Sequence, residues 1–126
     1  MRVHESAEDY LEAILMLTER KGYARSVDVA NELGFSKASV SVAMKKLRES
    51  GHVEMAADGG LTLTEAGLEV ARRIYDRHRL LTDFFVRLGV DPKTAARDAC
   101  RVEHDLSEET FSRLVEHARK KIEKDG

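Results

Sequence analysis

Glycines cut the first half of this chain into three helical stretches, and the short gap between the second and third admits few folds. Gly22 closes the stretch from Ser6 to Lys21, and Gly34 closes Val27 to Leu33. Gly51 ends a stretch that starts near Ser36 and runs to about Ser50. Glycine is the residue that most readily takes the left-handed conformation past a helix end. The first stretch carries Ala7, Leu11, Ile14, Leu15 and Leu17 on one stripe, with Ser6 placed to cap it and Glu8 and Asp9 near its positive end. Ser26 is placed to cap the second, in which Val29, Ala30 and Leu33 are apolar; Phe35 bridges to the third. A short helix, a tight turn with glycine and a longer helix form a helix-turn-helix.

The third stretch buries Val40, Ala43, Met44 and Leu47 and turns Lys37, Ser39, Ser41, Val42, Lys45 and Lys46 outward. Small hydroxyls let a helix approach base edges and phosphates, the lysines neutralise phosphates, and Val42 suits a thymine methyl. A plain solvated face would carry more glutamate. Between Arg20 and Glu49, seven basic residues face three acidic ones, within a chain of formal net charge −2. That asymmetry predicts a basic face on an otherwise acidic protein. His52 to Ala56, the turn Ala57-Asp58-Gly59-Gly60 and Leu61 to Leu63 then read as a hairpin. A hairpin in this place is a wing, and with no Lys or Arg it adds little grip on DNA.

Thr64 is placed to cap a long helix to about Leu88, with Leu68, Ala71, Tyr75, His78, Leu81 and Phe85 on its stripe, Ile74, Phe84 and Leu88 beside it, and Gly89 as its stop. Asp91-Pro92 opens the next helix, with Asp as cap and Pro in the first turn. Its apolar face holds Ala95, Ala99, Val102 and Leu106. Ser107 caps the last, whose apolar line is Phe111, Leu114, Val115, Ala118 and Ile122; the charged tail from Arg119 is expected to fray. The 126 residues therefore form a mainly α chain: a winged helix-turn-helix over 1–63 and a helical domain over 64–126. No apolar run reaches membrane-span length, the N-terminus is no signal peptide, and a single cysteine fits a reducing compartment, so a cytoplasmic protein is expected.

Cys100, Glu103 and His104 stand at i, i+3 and i+4, so one helix would present a sulfur, a carboxylate and an imidazole on one face. Each candidate group has an ordinary reading as well. The triplet reads equally as a buried thiol beside two surface polar residues. Asp9 and Glu12 read as first-turn complements of a helix dipole, and His78 as a hydrogen-bonded core residue.

Taken together, the segments resemble the diphtheria-toxin-repressor family of metal-activated bacterial repressors, above all its short manganese-transport-regulator branch. The similarity runs through Ala7-Glu8-Asp9-Tyr10-Leu11-Glu12-Ala13-Ile14, Lys21-Gly22-Tyr23-Ala24-Arg25, Ser39-Val40-Ser41 with Lys46-Leu47, and Gly60-Leu61-Thr62-Leu63-Thr64. It continues through Arg77-His78-Arg79-Leu80-Leu81 and Cys100-Arg101-Val102-Glu103-His104-Asp105-Leu106-Ser107, the most specific of the set. The resemblance implies a homodimer that represses metal-uptake genes at a palindromic operator in double-stranded DNA. It implies Mn(II) or Fe(II) as the ion, with Co(II) or Zn(II) binding in vitro, and no organic cofactor. The implied metal ligands are Asp9, Glu12, His78, Cys100, Glu103 and His104. The implied DNA contacts are Arg25, Ser36, Lys37, Ser39, Ser41, Val42, Lys45 and Lys46.

The chain departs from both branches. Glu is usual at position 100 in the manganese branch, whereas the iron branch has Cys there but Met at position 9. A thiolate is softer and shifts preference toward iron(II), cobalt or zinc. The SH3-like domain of the longer iron-responsive members is not expected, and Ala96 stands where their ancillary site has a histidine. Two rivals remain at this point. A winged-helix regulator of small organic ligands would need a hydrophobic pocket. A metal hydrolase would need an open coordination position and a general base, and neither HExxH nor another such pattern is present.

Overall fold

The computed structural model describes residues 3–125, with side chains described over 7–118. The chain forms two compact units, Met1–Arg73 and Ile74–Gly126. In chain order the elements are α1 (Val3–Lys21), α2 (Ser26–Leu33), α3 (Lys37–Glu49), β1 (Val53–Met55), β2 (Leu61–Leu63), α4 (Glu65–Arg87), α5 (Pro92–Val102) and α6 (Glu108–Asp125). The division between units falls inside α4. Among the described residues, no helix is long and apolar enough to cross a membrane.

In the first unit, Leu11, Ile14 and Leu17 of α1, Val29 and Ala30 of α2, and Val40, Met44 and Leu47 of α3 are all buried. Burying side chains of this kind contributes roughly 1.5–3 kcal/mol each, which offsets the ordering of three short helices. Ala43, expected in the same seam, is only half-buried. The helix ends follow from local chemistry. Ser36 caps α3 by accepting from the Ser39 N–H at 3.1 Å. Gly34 closes α2 at φ 72°, a left-handed conformation that favours glycine.

Two expected caps differ. α1 begins at Val3, so Ser6 lies within it; nothing from Val3 to Ser6 breaks a helix, and the Ser6 side chain lies outside the described residues. Ser26 is the first residue of α2 and Arg25 its cap. There the Asp28 carboxylate reaches back to accept the Arg25 N–H at 3.1 Å, the return bond of a capping box.

β1 and β2 pair antiparallel, Val53 opposite Leu63 and Met55 opposite Leu61. The turn is held by the Ala56 N–H donating to Gly60 O and by the Asp58 carboxylate accepting the Gly60 N–H, each at 2.9 Å. The hairpin is tied back to the helices where the Leu61 N–H donates to Ala24 O at 2.7 Å. Thr64 caps α4 as expected, accepting from the Gly67 N–H at 3.1 Å while donating to Gly51 O at 2.6 Å. Here the chain comes so close to itself that a Cβ on Gly67 would lie 2.0 Å from the His52 carbonyl oxygen.

In the second unit the buried apolar side chains are Ile74 and Leu81 of α4, Ala95 and Ala99 of α5, and Ala118 of α6. Leu88, expected beside the α4 stripe, is 64% exposed because it lies beyond the last helical residue. Asp91 caps α5, accepting from the Lys93 N–H at 3.1 Å. Ser107 caps α6, accepting from the Thr110 N–H at 3.1 Å. α6 stays helical to Asp125, past the point where fraying was expected; Ile122 lies outside the described side chains.

Candidate metal centre and nucleic-acid interface

α5 stops at Val102, so Glu103 and His104 lie in the turn that follows and not on the helix with Cys100. Glu103 keeps helical backbone angles as the C-cap, and its N–H donates to Ala99 O. The expected convergence of the three therefore survives in part: the Cys100 Sγ lies within 4.8 Å of a Glu103 carboxylate oxygen. The ordinary reading of the triplet is inverted. The thiol is exposed, while Glu103 is 0% exposed and the His104 side chain 2%.

α4 brings His78 to the same carboxylate. His78 Nδ1 is 3.0 Å from Glu103 Oε2, and His104 Nε2 is 3.5 Å from Glu103 Oε1. A fully buried carboxylate thus sits between two imidazoles. Ligand atoms about 2.1 Å from one ion lie about 3.0 Å apart at right angles and about 3.4 Å apart at the tetrahedral angle. The observed separations match those edges, and nitrogen, oxygen and a nearby sulfur are the donors that divalent transition ions take. The donor types gathered here suit such an ion.

In the other unit, α1 carries Asp9, half-buried, and Glu12, buried, three residues apart on one face. Because α1 starts at Val3, neither acid lies in its first turn, where a helix-dipole role would place it. Glu8 of the same helix pairs with Arg73 at 3.1 Å. Burial, with the Asp9 carboxylate adding to it, raises the Tyr10 phenol above its ordinary value.

Arg77 is the residue that sequence reasoning missed. It is 5% exposed, and its Nη1 donates to Glu103 O at 3.0 Å and Leu106 O at 3.3 Å. Its Nη2 pairs with Glu108, and the guanidinium lies over the Phe111 ring, 4.7 Å from the centroid. A signal was present: position 77 is three residues after Ile74 and four before Leu81, inside the buried arc of α4.

The expected DNA-facing residues all lie in the first unit, and all are exposed: Arg25, Ser36, Lys37, Ser39, Ser41, Val42, Lys45 and Lys46. Val42 is 56% exposed, an apolar side chain on the outer face of α3. Arg20 pairs with Glu32 at 2.9 Å and Lys21 with Asp28 at 3.8 Å. Those pairs remove two of the three local acids. Arg25, Lys37, Lys45, Lys46 and Arg48 remain against Glu49, so the positive charge gathers on α3 and the cap of α2.

A helix-turn-helix with a wing, joined to a helical unit with a buried carboxylate–imidazole cluster, defines a metal-responsive DNA-binding regulator. Comparison with known proteins agrees. Residues 2–61 match the iron dependent repressor N-terminal DNA binding domain, and residues 64–121 match the iron dependent repressor metal binding and dimerisation domain. The chain belongs to the iron-dependent repressor family. It is 40% identical over 112 residues to an uncharacterized HTH-type transcriptional regulator of Methanocaldococcus jannaschii, covering 87% of this chain and 90% of that one. It is 41% identical over 107 residues to the transcriptional regulator MntR of Escherichia coli O157:H7, covering 85% and 69%. A solved manganese-dependent transcriptional repressor in complex with manganese is similar at a TM-score of 0.78 and 30% identity, covering 89% of this chain. The chain spans about half of that structure's length, 52%. The protein is a metal-dependent transcriptional repressor of a family that binds DNA and dimerises, and its relatives are regulators, not enzymes. The hydrolase and organic-ligand readings fall with that assignment.

Proposed function

We propose that this repressor is activated by Mn(II) or Fe(II), held by Asp9, Glu12, His78, Cys100, Glu103 and His104, and that it controls metal-uptake genes from the cytoplasm. The observation that carries the reading is the Glu103 carboxylate, fully buried between His78 and His104. A buried carboxylate is costly unless its charge is balanced. A bound divalent cation supplies that balance and lets further carboxylates and a thiolate converge without mutual repulsion. Residues 1–63 bind DNA, and residues 64–126 dimerise and hold most of the ligands. The dimer places two copies of α3 in successive major grooves of a palindromic operator, with Ser36, Lys37, Ser39, Ser41, Val42, Lys45 and Lys46 toward the DNA and Arg25 beside them. Ligands drawn from both units make metal and DNA binding one linked equilibrium, each tightening the other by the same factor.

The test is fluorescence anisotropy on promoter DNA of metal-uptake genes, run anaerobically with Mn(II), Fe(II), Co(II), Zn(II) or chelator, on the wild type and on Cys100→Glu. The expected result is tight binding with metal, little with chelator, and a metal preference that moves toward manganese in the variant. Equal DNA binding with and without metal refutes the switch.

A further inference from the structure

We infer that Arg77 is a positioning residue for the metal site, fixing the turn from which Glu103 and His104 project; the inference rests on reading those two as ligands. Glu103 is the C-cap of α5, held by its own N–H to Ala99 O, and His104 lies in the turn beyond it, where the helix no longer supplies partners for the carbonyls. Carbonyls at a helix C-terminus have no partner within the helix and need one from elsewhere. Arg77 supplies it for two carbonyls at once, Glu103 O at 3.0 Å and Leu106 O at 3.3 Å, one at each end of the turn.

The next residue on α4 completes the grip. His78 Nδ1 meets the Glu103 carboxylate at 3.0 Å while Arg77 holds the same residue's carbonyl. One dipeptide therefore fixes Glu103 by its main chain and by its side chain. Arg77 is in turn fixed by the Glu108 carboxylate and by the Phe111 ring under its guanidinium. The guanidinium divides these partners between two nitrogens of a planar fork, the carbonyls on Nη1 and the carboxylate on Nη2; an ammonium of equal charge is a single nitrogen and does not reproduce that geometry. Groups that orient ligands in this way usually change metal affinity by about 10–100-fold when replaced.

The experiment measures Mn(II) and Co(II) affinities of the full chain by competition with a fluorescent metal indicator, with metal-free thermal melts alongside. Arg77→Lys keeps the charge and most of the stem, and is expected to lose about 10–100-fold in Mn(II) affinity and to change the Mn(II)/Co(II) ratio. Arg77→Gln gives a second, uncharged test with the same expected direction. Glu108→Gln leaves both carbonyl bonds available and should lose less than Arg77→Lys. Ala118→Gly weakens the same unit without touching the turn, and should lower the melting temperature while leaving the ratio unchanged. Wild-type affinity and ratio in both Arg77 variants overturn the inference, as does an equal change of ratio in Ala118→Gly. Glu103→Gln separates the two layers. If it loses metal while the Arg77 variants do not, the positioning role alone fails. If it binds metal like the wild type, the ligand reading fails and the inference falls with it.

Discussion

Replacing Gly67 with alanine sets two well-measured effects against each other. Gly67 lies in the first turn of α4, so the roughly 1 kcal/mol by which alanine is favoured over glycine in a helix interior is an upper bound on the gain that local propensity predicts. The contact predicts the reverse. The added Cβ would lie 2.0 Å from His52 O, whereas a carbon and a carbonyl oxygen rest at about 3.3 Å, so about 1.3 Å must be found by moving backbone. Overpacking of this kind costs about 1–3 kcal/mol. His52 O also accepts the Thr64 N–H at 3.1 Å, and displacing it weakens a bond worth about 1 kcal/mol. The net expectation is a loss of about 2 kcal/mol, or roughly 6–10 °C in melting temperature for a chain of this size. Thermal denaturation followed by circular dichroism, with chelator present in both samples, reads it directly. An equal or higher melting temperature for Gly67→Ala would show that the close approach of α4 to the base of the hairpin does not hold.

Three further outcomes follow from the same structure. With free Mn(II) at 100 times its Kd, unfolding free energy should rise by about 2.7 kcal/mol over the chelated protein, and Glu103→Gln should abolish the increment in urea titrations. Lys45→Ala and Lys46→Ala should each flatten the slope of log affinity against log salt by about 1.8 for the dimer if each copy of the lysine meets one phosphate, and an unchanged slope removes that lysine from the interface. The Tyr10 phenol should ionise above its ordinary value of 10.0, seen as a late rise in absorbance at 295 nm. Because the folded value is the raised one, its contribution to stability is full below pH 10 and is lost as pH climbs through the folded value; ionisation at the ordinary pH contradicts the burial.

The helix ends and the hairpin turn are legible in the sequence where their signals are local. Ser36, Gly34, the Asp58-Gly59-Gly60 turn, Thr64, Asp91 and Ser107 each act within a few residues of themselves, and each does what its chemistry dictates. The misses share another cause. Helical spacing runs on past Val102, because nothing local marks the point where α5 gives way to a turn; the partner that stabilises that turn, Arg77, lies 26 residues upstream of Glu103. The burial of the same arginine is not legible locally, because a charged residue on an amphipathic helix ordinarily faces water and only long-range partners make its burial tolerable. The burial of Glu103 and the exposure of Cys100 likewise depend on tertiary neighbours that period-3.6 reasoning does not see.

Ala95 and Ala99 anchor α5 through two side chains that end at Cβ, both fully buried. A helix seated that closely has no slack on its inner face, where a larger residue would lift it off its neighbours. Cys100, the next residue, is exposed. On the proposed ligand set, the donor atom at that position can therefore change identity, from sulfur to oxygen or nitrogen, without disturbing what holds the helix in place. Under the same proposal, for a lineage moving between iron-rich and manganese-rich surroundings, one substitution at position 100 retunes metal preference while the fold stays as it is.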